Sequence, residues 1–159
     1  MDESDYVAGL VHDVGKIVMA WSFPEHFSEI HRQAIAGTRD LVDIENEVLG
    51  LDHGEVGALY LEHHRLPDLM IVSARFHHHP EQAPQHQAFV ASVQIADLLL
   101  RNSKIGCSGN FMEVTQDACL AASGWQVLFP KPGAAEHTIA RASLNRSLER
   151  LPSVLEGLV

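Results

Sequence analysis

Two long segments of the chain are apolar on nearly every side of a helical wheel, and this feature limits the fold more than any other. They span residues 5–21 and 86–102. A helix of this kind has to be covered by other elements on all sides. Because no segment shows the clean period-two alternation of a half-buried strand, those elements are expected to be helices as well. The sequence therefore predicts an all-α fold in which both segments are buried.

Signals for the start and end of helices recur along the rest of the chain. Gly37 is a predicted left-handed cap, a second helix ends at Gly50, and Asp52 is a predicted N-cap that forms a capping-box pattern with Glu55. The further helices are predicted at about 25–36, 40–49, 53–65, 67–78, 134–150 and 152–158. We therefore expect a helical bundle of about seven or eight helices that forms a single domain over residues 1–159.

The composition argues against several classes of partner. The 159 residues include 11 Lys and Arg against 21 Asp and Glu, which gives a formal net charge of −10. Nucleic-acid binding depends largely on basic side chains that neutralise phosphates, and anionic lipid surfaces attract the same side chains. No apolar run reaches the roughly 18–20 residues that a membrane span needs. We expect neither nucleic acid nor a membrane as a partner.

The N-terminus and the cysteines indicate a cytoplasmic location. The first five residues, Met-Asp-Glu-Ser-Asp, are acidic where a secretory signal is basic. Cys107 and Cys119 are too few for a disulfide framework and do not form a CxxC motif. A reducing compartment is the simplest interpretation.

Ionisable residues interrupt segments that otherwise have the composition of a protein core. His12-Asp13 lies in the middle of the first apolar segment, Asp97 lies among leucines and isoleucine in the second, and His77-His78-His79 ends an apolar helix. A buried carboxylate without a partner costs several kcal/mol, so such groups are normally paired or bound to metal. Because His and Asp from separate helices are a common way to build a metal site, the combination predicts one here.

Each of these residues alone also has a simpler interpretation. Asp97 could form an ion pair with Arg75 or Arg101. His77-His78 lies at a helix C-terminus, where the macrodipole favours partial positive charge. His53 could be a polar residue of a first helical turn. The sequence leaves these alternatives open for single residues, and only the combination favours a site.

Several strings of the sequence resemble a known family. Residues 8–16, AGLVHDVGK, resemble the GLLHDIGK signature of the HD superfamily. Residues 49–58, followed by Leu66-Pro67, and the string His77-His78-His79-Pro80 resemble the HDOD branch of that superfamily. Ile95-Ala96-Asp97 and the loop 105–109 fit the same pattern. The chain is therefore similar to HDOD domains over residues 6 to about 110, and we expect it to be the C-terminal, HD-like portion of such a domain.

The resemblance implies an all-helical domain of bacterial signalling and regulatory proteins, related to the metal-dependent phosphohydrolases of the HD and HD-GYP type. It also implies a divalent metal, which could be Fe, Mn, Mg, Zn or Ni. Asp13 would bridge two ions and Lys16 would face bound phosphate. The metal ligands that the resemblance implies are His12, Asp13, His53, His77, His78 and Asp97.

The chain departs from the family pattern in three places. The 11 residues before the HD pair contain no histidine, whereas HD enzymes use one from an upstream helix. The HD-GYP signature is replaced by Glu81-Gln82-Ala83-Pro84. The helical lobe that generally precedes the HD helix in HDOD domains is missing, so we expect the core to be partly exposed or completed by a homo-oligomer.

These features lead to one main hypothesis about function and two alternatives. We expect a regulatory domain of a bacterial signal-transduction protein that acts through contacts with other signalling proteins or domains and keeps a partial metal site. The first alternative is an active metal-dependent phosphohydrolase for a nucleotide or another small phosphorylated ligand, in which Asp13 and Lys16 are catalytic. The second is a helical scaffold whose polar residues only pair with one another.

Overall fold

The computed structural model describes residues 3–106, 108–131 and 135–156, and within these ranges every regular element is a helix. The predicted all-α class is therefore confirmed. A short 3₁₀ helix at Pro80–Gln82 accompanies the α-helices. The α-helices are α1 (Glu3–Val11), α2 (Val14–Ser22), α3 (Pro24–Ala34), α4 (Leu41–Leu49), α5 (His53–His63), α6 (Asp68–Phe76), α7 (Gln87–Asn102), α8 (Gln116–Ala121), α9 (Ser123–Leu128) and α10 (Ala135–Glu156).

The first apolar segment is two helices rather than the single predicted one. Helix α1 ends at Val11 and α2 begins at Val14, with His12 and Asp13 in a turn between them. His12 Nδ1 donates to the carbonyl oxygen of Gly9 at 2.6 Å. In an uninterrupted helix that carbonyl would accept from the backbone N–H of Asp13, so the imidazole competes with the helix ladder at the break.

The described residues contain more α-helices than the seven or eight that we expected. Besides the break after Val11, residues 116–128 form α8 and α9, where no helix was predicted. At the end of the chain the structure has fewer helices than predicted, because α10 runs through Pro152, where two separate helices were predicted. Residues 134, 157 and 158, which belong to those two predictions, lie outside the described residues.

The predicted caps at Gly50 and Asp52 are present, whereas α3 ends at Ala34, before the predicted end at residue 36 and the predicted cap Gly37. Gly37 and Gly50 have φ angles of 65° and 79°, in the left-handed region that favours glycine. The Asp52 carboxylate accepts from the backbone N–H of Glu55 at 2.9 Å, as an N-cap does. The Asp52 cap fixes the point at which α5 begins, and so it places His53 at the first position of the helix.

Two glycines allow α2, α5 and α6 to approach one another closely. A Cβ atom on Gly15 would lie 1.8 Å from the carbonyl oxygen of His53, and one on Gly54 would lie 2.8 Å from the carbonyl oxygen of Ala74. No other residue type has room at such a contact. The glycines therefore bring the start of α2, the start of α5 and the last turns of α6 together.

Apolar side chains from all parts of the bundle fill the core. One cluster joins α2, α3, α4 and α5 through Met19, Ile30, Ala34, Leu41, Ile44 and Val56. A second joins α1, α5 and α6 through Ala8, Ala58, Leu61, Met70 and Ala74. A third joins α7 to α9 through Ile95, Leu99 and Trp125.

The expectation that the whole first segment is buried is wrong for one of its faces. Four large side chains spaced along α1 and α2 are exposed, and we call them the apolar stripe: Tyr6 (69% exposed), Leu10 (69%), Ile17 (70%) and Trp21 (88%). The helical wheel shows that all faces are apolar, but it does not show which of them another element covers. Among the described residues, none of the helices combines the length and the apolar character that a membrane span requires.

Candidate metal centre

Four histidines and one aspartate converge where three pairs of helices meet. His12 and Asp13 lie in the turn between α1 and α2, and His53 is the first residue of α5. His77 and His78 follow the last residue of α6. His53 and His77 are completely or almost completely buried, at 0% and 2% exposed.

The facing atoms of this cluster are the Nε2 atoms of the imidazoles and one carboxylate oxygen. His53 Nε2 lies 3.3 Å from His77 Nε2 and 2.9 Å from His78 Nε2. Asp13 Oδ1 lies 3.2 Å from His53 Nε2 and 3.5 Å from His77 Nε2. Four side chains that are up to 65 positions apart in the sequence (13 to 78) therefore converge, and His12 joins them through a second donor group with Asp13 and His77.

Outer hydrogen bonds fix the orientation of three of the imidazoles. His12 Nδ1 donates to the Gly9 carbonyl at 2.6 Å, and His77 Nδ1 donates to the Ala74 carbonyl at 2.8 Å. His53 Nδ1 donates to Glu45 Oε2 at 2.6 Å. Since carbonyl and carboxylate oxygens only accept, the proton of each ring is placed on Nδ1. Nε2 of His12 and of His77 then directs a lone pair at the centre, as in histidines that bind metal, and Nε2 of His53 does so once it has lost the proton that it shares with Asp13.

The resulting arrangement is unfavourable without a positive charge at the centre. The Nε2 atoms of His53 and His77 face each other, the buried His12 Nε2 has no hydrogen-bond partner, and Asp13 Oδ1 gains one only when His53 carries a proton on Nε2. A metal ion needs several donor atoms close together. In the described part of the chain, two groups of three residues have donor atoms within 4.8 Å of one another: His53-His77-His78 and His12-Asp13-His77. A metal ion would satisfy His53 and His77 in one donor group, or His12, Asp13 and His77 in the other. The cluster could therefore hold a metal ion.

The pKa shifts in the cluster are consistent with this chemistry. Burial, together with the neighbouring His53 and His12, lowers the pKa of His77 to about 3, and burial beside His77 holds the pKa of His78 well below its ordinary value. Both rings are therefore neutral, the form that binds metal.

The carboxylates of Asp13 and Glu45 have the opposite effect on the pKa of His53, which they raise. Burial alone would raise the pKa of Asp13, but the hydrogen bond from His53 and the charge of Lys16 lower it overall. Burial alone would lower the pKa of His53, but its hydrogen bonds to Asp13 and Glu45 raise it overall. The two carboxylates thus favour a cation, either a proton or a metal ion, beside His53.

Lys16 is engaged within the cluster. Its Nζ atom donates to Asp13 Oδ2 at 2.6 Å, and both side chains are largely buried. The resemblance implied that Asp13 bridges two ions and that Lys16 faces phosphate. In the structure, Lys16 binds the second carboxylate oxygen, which leaves Oδ1 for the cluster.

Asp97 lies apart from the converging donor atoms. Its Oδ2 atom is 3.7 Å from Arg101 Nη1, one turn further along α7, and it belongs to neither donor group. Asp97 does line a cavity of about 330 Å³ together with His77 and His78. The structure therefore brings five of the six sequence-predicted ligands together and places the sixth at the wall of the adjoining cavity.

The scaffold interpretation matches the structure only in part. Asp13 pairs with Lys16 and Asp97 with Arg101, as that interpretation expects. The imidazoles, however, point at one another instead of apart.

Two residues of this region were missed from the sequence. Glu45 is fully buried, and its Oε2 atom accepts from both the ring and the backbone N–H of His53, at 2.6 and 2.9 Å. The signal was its place in the apolar face of α4, four residues after Leu41. Gln94 is also buried, and it donates to the His78 carbonyl at 2.7 Å while it accepts from the Gly124 N–H at 2.8 Å. Its partners are 16 and 30 residues away, so no local pattern indicates its role.

The fold and the site define an all-helical domain with an HD-type cluster of histidines and aspartate, and comparison with known proteins gives the family. The family model for the HDOD domain matches residues 1–80, just over half of the 159 residues. The chain belongs to the HDOD domain family, and this membership supports an HD-superfamily-like regulatory domain. The match includes the five converging residues, whereas Asp97 lies beyond it. No solved structure matches the chain.

One relative is itself without an assigned function. The chain is 29% identical over 100 residues to an uncharacterized protein of Treponema pallidum (strain Nichols). The match covers 60% of this chain and 19% of that protein, so the aligned part spans about a fifth of the relative's length. The expectation that the chain is the C-terminal portion of an HDOD domain is not confirmed, because the family match lies in the N-terminal half of the chain.

Proposed function

We propose that this chain is a regulatory HDOD domain of a bacterial signal-transduction protein, that it acts through contacts with other proteins or domains, and that it holds one divalent metal ion without turning over phosphoesters. His53, His77, His78 and Asp13 would hold the ion, with His12 beside them. Three imidazoles and a carboxylate suit Zn, Fe, Mn or Ni better than Mg, which prefers oxygen ligands. When bound, such an ion supplies Lewis acidity and a point that fixes the three helix junctions.

One observation carries the proposal: the residues that would extend the cluster into a hydrolytic site are already engaged in ion pairs. Lys16 occupies Asp13 Oδ2, and Asp97 is paired with Arg101. In a two-metal hydrolase a further carboxylate would hold the second ion, and a cationic side chain beside it could contact the phosphate. The converging imidazoles support metal binding, and these two ion pairs support a regulatory role for it.

The apolar stripe supports action through protein contacts. Tyr6 and Leu10 are four residues apart on α1, and Ile17 and Trp21 are four residues apart on α2, so each pair lies on one helix face. Large exposed apolar side chains in this arrangement are typical of protein–protein contacts. We include a second copy of this chain among the candidate partners.

A metal-dependent phosphohydrolase is the second candidate. The observation that favours it is the overlap of the two donor groups, which share His77 and could hold two neighbouring ions. The two candidates differ in the number of ions bound and in turnover.

Metal content and phosphatase activity of the purified chain distinguish these candidates. We expect about one ion per chain by elemental analysis, a chelator-induced fall in Tm, and no turnover of nucleotides or phosphoesters with added Mn or Fe. His53→Ala should abolish metal binding, and His63→Ala, which changes an exposed histidine outside the cluster, should leave it intact. Turnover that Asp13→Ala abolishes would overturn the regulatory proposal in favour of the hydrolase.

A further inference from the structure

The cavity beside His77 and His78 is a candidate ligand site in its own right. Its volume is about 330 Å³, within the range of sites for small molecules. Val42 of α4 and Leu98 of α7 give it apolar surface. The polar residues that complete the lining are Asp40, Asp43, His79, Gln94, Asp97 and Arg101.

Most of these polar side chains already have partners. Gln94 is held by the two backbone groups described above. Asp40 uses both of its oxygens, because Oδ1 accepts from a backbone N–H of α4 and Oδ2 accepts from the side-chain amide of Asn110. His79 is paired with a neighbouring glutamate. The side chains that remain for a ligand are those of Asp97, Arg101 and the exposed Asp43.

The ion pair between Asp97 and Arg101 leaves hydrogen-bonding capacity unused. Asp97 Oδ2 lies 3.7 Å from Arg101 Nη1, which is too far for a hydrogen bond. Among the described residues, Asp97 accepts no hydrogen bond, and Arg101 donates one, from Nη2 to the Met112 carbonyl at 3.2 Å. The side chain of Asp97 is 18% exposed and that of Arg101 is 8% exposed, so water satisfies little of this capacity. Charged groups in such a state are costly unless a partner completes their hydrogen bonds.

The unused atoms of this pair can be reached from the cavity. Arg101 Nε is buried without a partner and has essentially no accessible surface, whereas Arg101 Nη1 and the Asp97 carboxylate keep some. Both side chains line the cavity. A molecule in the cavity can therefore contact the pair at Nη1 and at the carboxylate.

The spacing of the pair fits an amide group that presents its donor and its acceptor on one edge. The oxygen and the nitrogen of an amide are about 2.2 Å apart by standard bond lengths. Two hydrogen bonds, from the amide N–H to Asp97 and from Arg101 to the amide oxygen, then diverge only slightly to reach atoms 3.7 Å apart. Both bonds involve a charged partner, which makes them the stronger kind.

The charges that line the cavity disfavour an anion and a cation that only donates. Three carboxylates face the one guanidinium of Arg101, so a carboxylate or phosphate ligand meets net repulsion. The imidazoles of His77 and His78 are neutral, and His79 lies beside its glutamate partner, so none of them offsets the carboxylates. An amidinium could pair with Asp97, but it would present N–H groups to those of Arg101. A neutral amide avoids both conflicts.

We propose that this cavity binds a small neutral molecule through a primary amide or a lactam, whose N–H donates to Asp97 and whose oxygen accepts from Arg101. The site borders the imidazoles of the metal cluster, but its occupancy requires neither a bound metal nor the proposed function. It is therefore tested by binding to the metal-free chain.

Four matched benzene derivatives test the requirement for a donor beside an acceptor. Benzamide presents both on one edge, trans N-methylbenzamide presents them on opposite edges, benzoate has only acceptors and benzamidinium has only donors. Calorimetric titration of the full chain in the presence of a chelator should show that benzamide binds at least about tenfold more tightly than each of the others. No binding of benzamide, or equal affinity for N-methylbenzamide, would overturn the proposal.

Two variants should change the selectivity in opposite directions. Arg101→Gln removes the guanidinium and leaves Asp97, so benzamidinium should gain affinity relative to benzamide. Asp97→Asn removes the carboxylate and leaves Arg101, so benzoate should gain affinity relative to benzamide. The matched controls at exposed positions elsewhere are Arg32→Gln and Asp117→Asn, which should keep the wild-type order of the four probes.

The measured quantity is a ratio of affinities, so a modest loss of stability in either variant does not affect it. Asp97→Asn decides alone where Arg101→Gln fails to fold. The wild-type order of the probes in Asp97→Asn would place the binding elsewhere and refute the assignment. Because the titrations use metal-free protein and measure no turnover, such a result would leave the proposed function standing.

Discussion

Glu45 holds His53 through a single carboxylate oxygen, which accepts from the ring at 2.6 Å and from the backbone N–H at 2.9 Å. The carboxylate thereby fixes both the orientation of the imidazole and the start of α5. Partners of this kind, one bond removed from a metal, set ligand basicity and orientation. The relationship makes Glu45 a positioning residue for His53.

Replacing Glu45 is therefore expected to weaken metal binding. Glu45→Ala should reduce the affinity for Zn²⁺ or Co²⁺ by about 10- to 100-fold, the range found for outer partners of ligating histidines, and Glu45→Gln should reduce it less. Competition titration with a chromophoric chelator measures both. Glu47→Gln, on the exposed face of the same helix, is the control. Equal affinities for Glu45→Ala and the control would show that His53 needs no such support.

Gly15, at the contact between α2 and α5, and Gly9, in α1, are expected to respond in opposite ways to substitution by alanine. A Cβ on Gly15 would lie 1.8 Å from a backbone oxygen, so Gly15→Ala should destabilise the protein by about 3 kcal/mol, the upper end of overpacking costs. Gly9 has no neighbour within 4 Å of the corresponding position in α1, so Gly9→Ala should stabilise by about 0.5–1 kcal/mol. Urea unfolding followed by circular dichroism gives both values. A neutral Gly15→Ala would mean that α2 and α5 are further apart than described.

Asp13 and Asp97 are expected to differ in their effect on metal affinity. Asp13→Asn replaces a charged converging donor by a neutral amide and should weaken binding by at least about 100-fold, more than the loss of an outer partner does. Asp97→Asn should leave the affinity unchanged, because Asp97 lies outside both donor groups and pairs with Arg101. The same chelator competition applies. Comparable losses in the two variants would return Asp97 to the ligand set that the sequence predicted.

The apolar stripe predicts a change in association without a change in stability. Trp21 is 88% exposed, so Trp21→Lys should alter the free energy of unfolding by no more than about 0.5 kcal/mol. If the stripe forms a contact between copies, sedimentation velocity should show wild-type self-association that Trp21→Lys abolishes. Ile139→Lys, at another exposed apolar side chain, should leave the association unchanged. Equal behaviour of the two variants would exclude the stripe as that contact.

Local patterns predicted the parts of this molecule that depend on neighbouring residues. The helical class, the glycine caps and the N-cap at Asp52 all follow from short-range rules, and the structure contains them. The His and Asp combination also indicated part of the converging set, because buried polar groups need partners wherever those partners lie. It included Asp97, which lies apart from the donor atoms, and His53 came only from the family resemblance.

The remaining features depend on contacts that the sequence does not display. The break at His12-Asp13 coincides with a hydrogen bond from the His12 ring to the Gly9 carbonyl, which would otherwise accept from a backbone N–H. The periodicity of apolar residues does not reveal such a bond. The exposure of Trp21 depends on what covers α2, and the pairing of Glu45 with His53 crosses a helix boundary. Each of these is settled by tertiary packing rather than by propensity.

The absence of a side chain at Gly15 has a consequence for metal exchange. Because the backbone of α2 rests directly on that of α5, Asp13 and His53 cannot separate without opening the helix contact itself. The donor atoms are thus preorganised in the folded chain. The conformational entropy that they lose is therefore lost during folding and not when an ion binds. Loading and removal of an ion should then leave the backbone almost unchanged, so that occupancy alters charge at the cluster more than it alters shape.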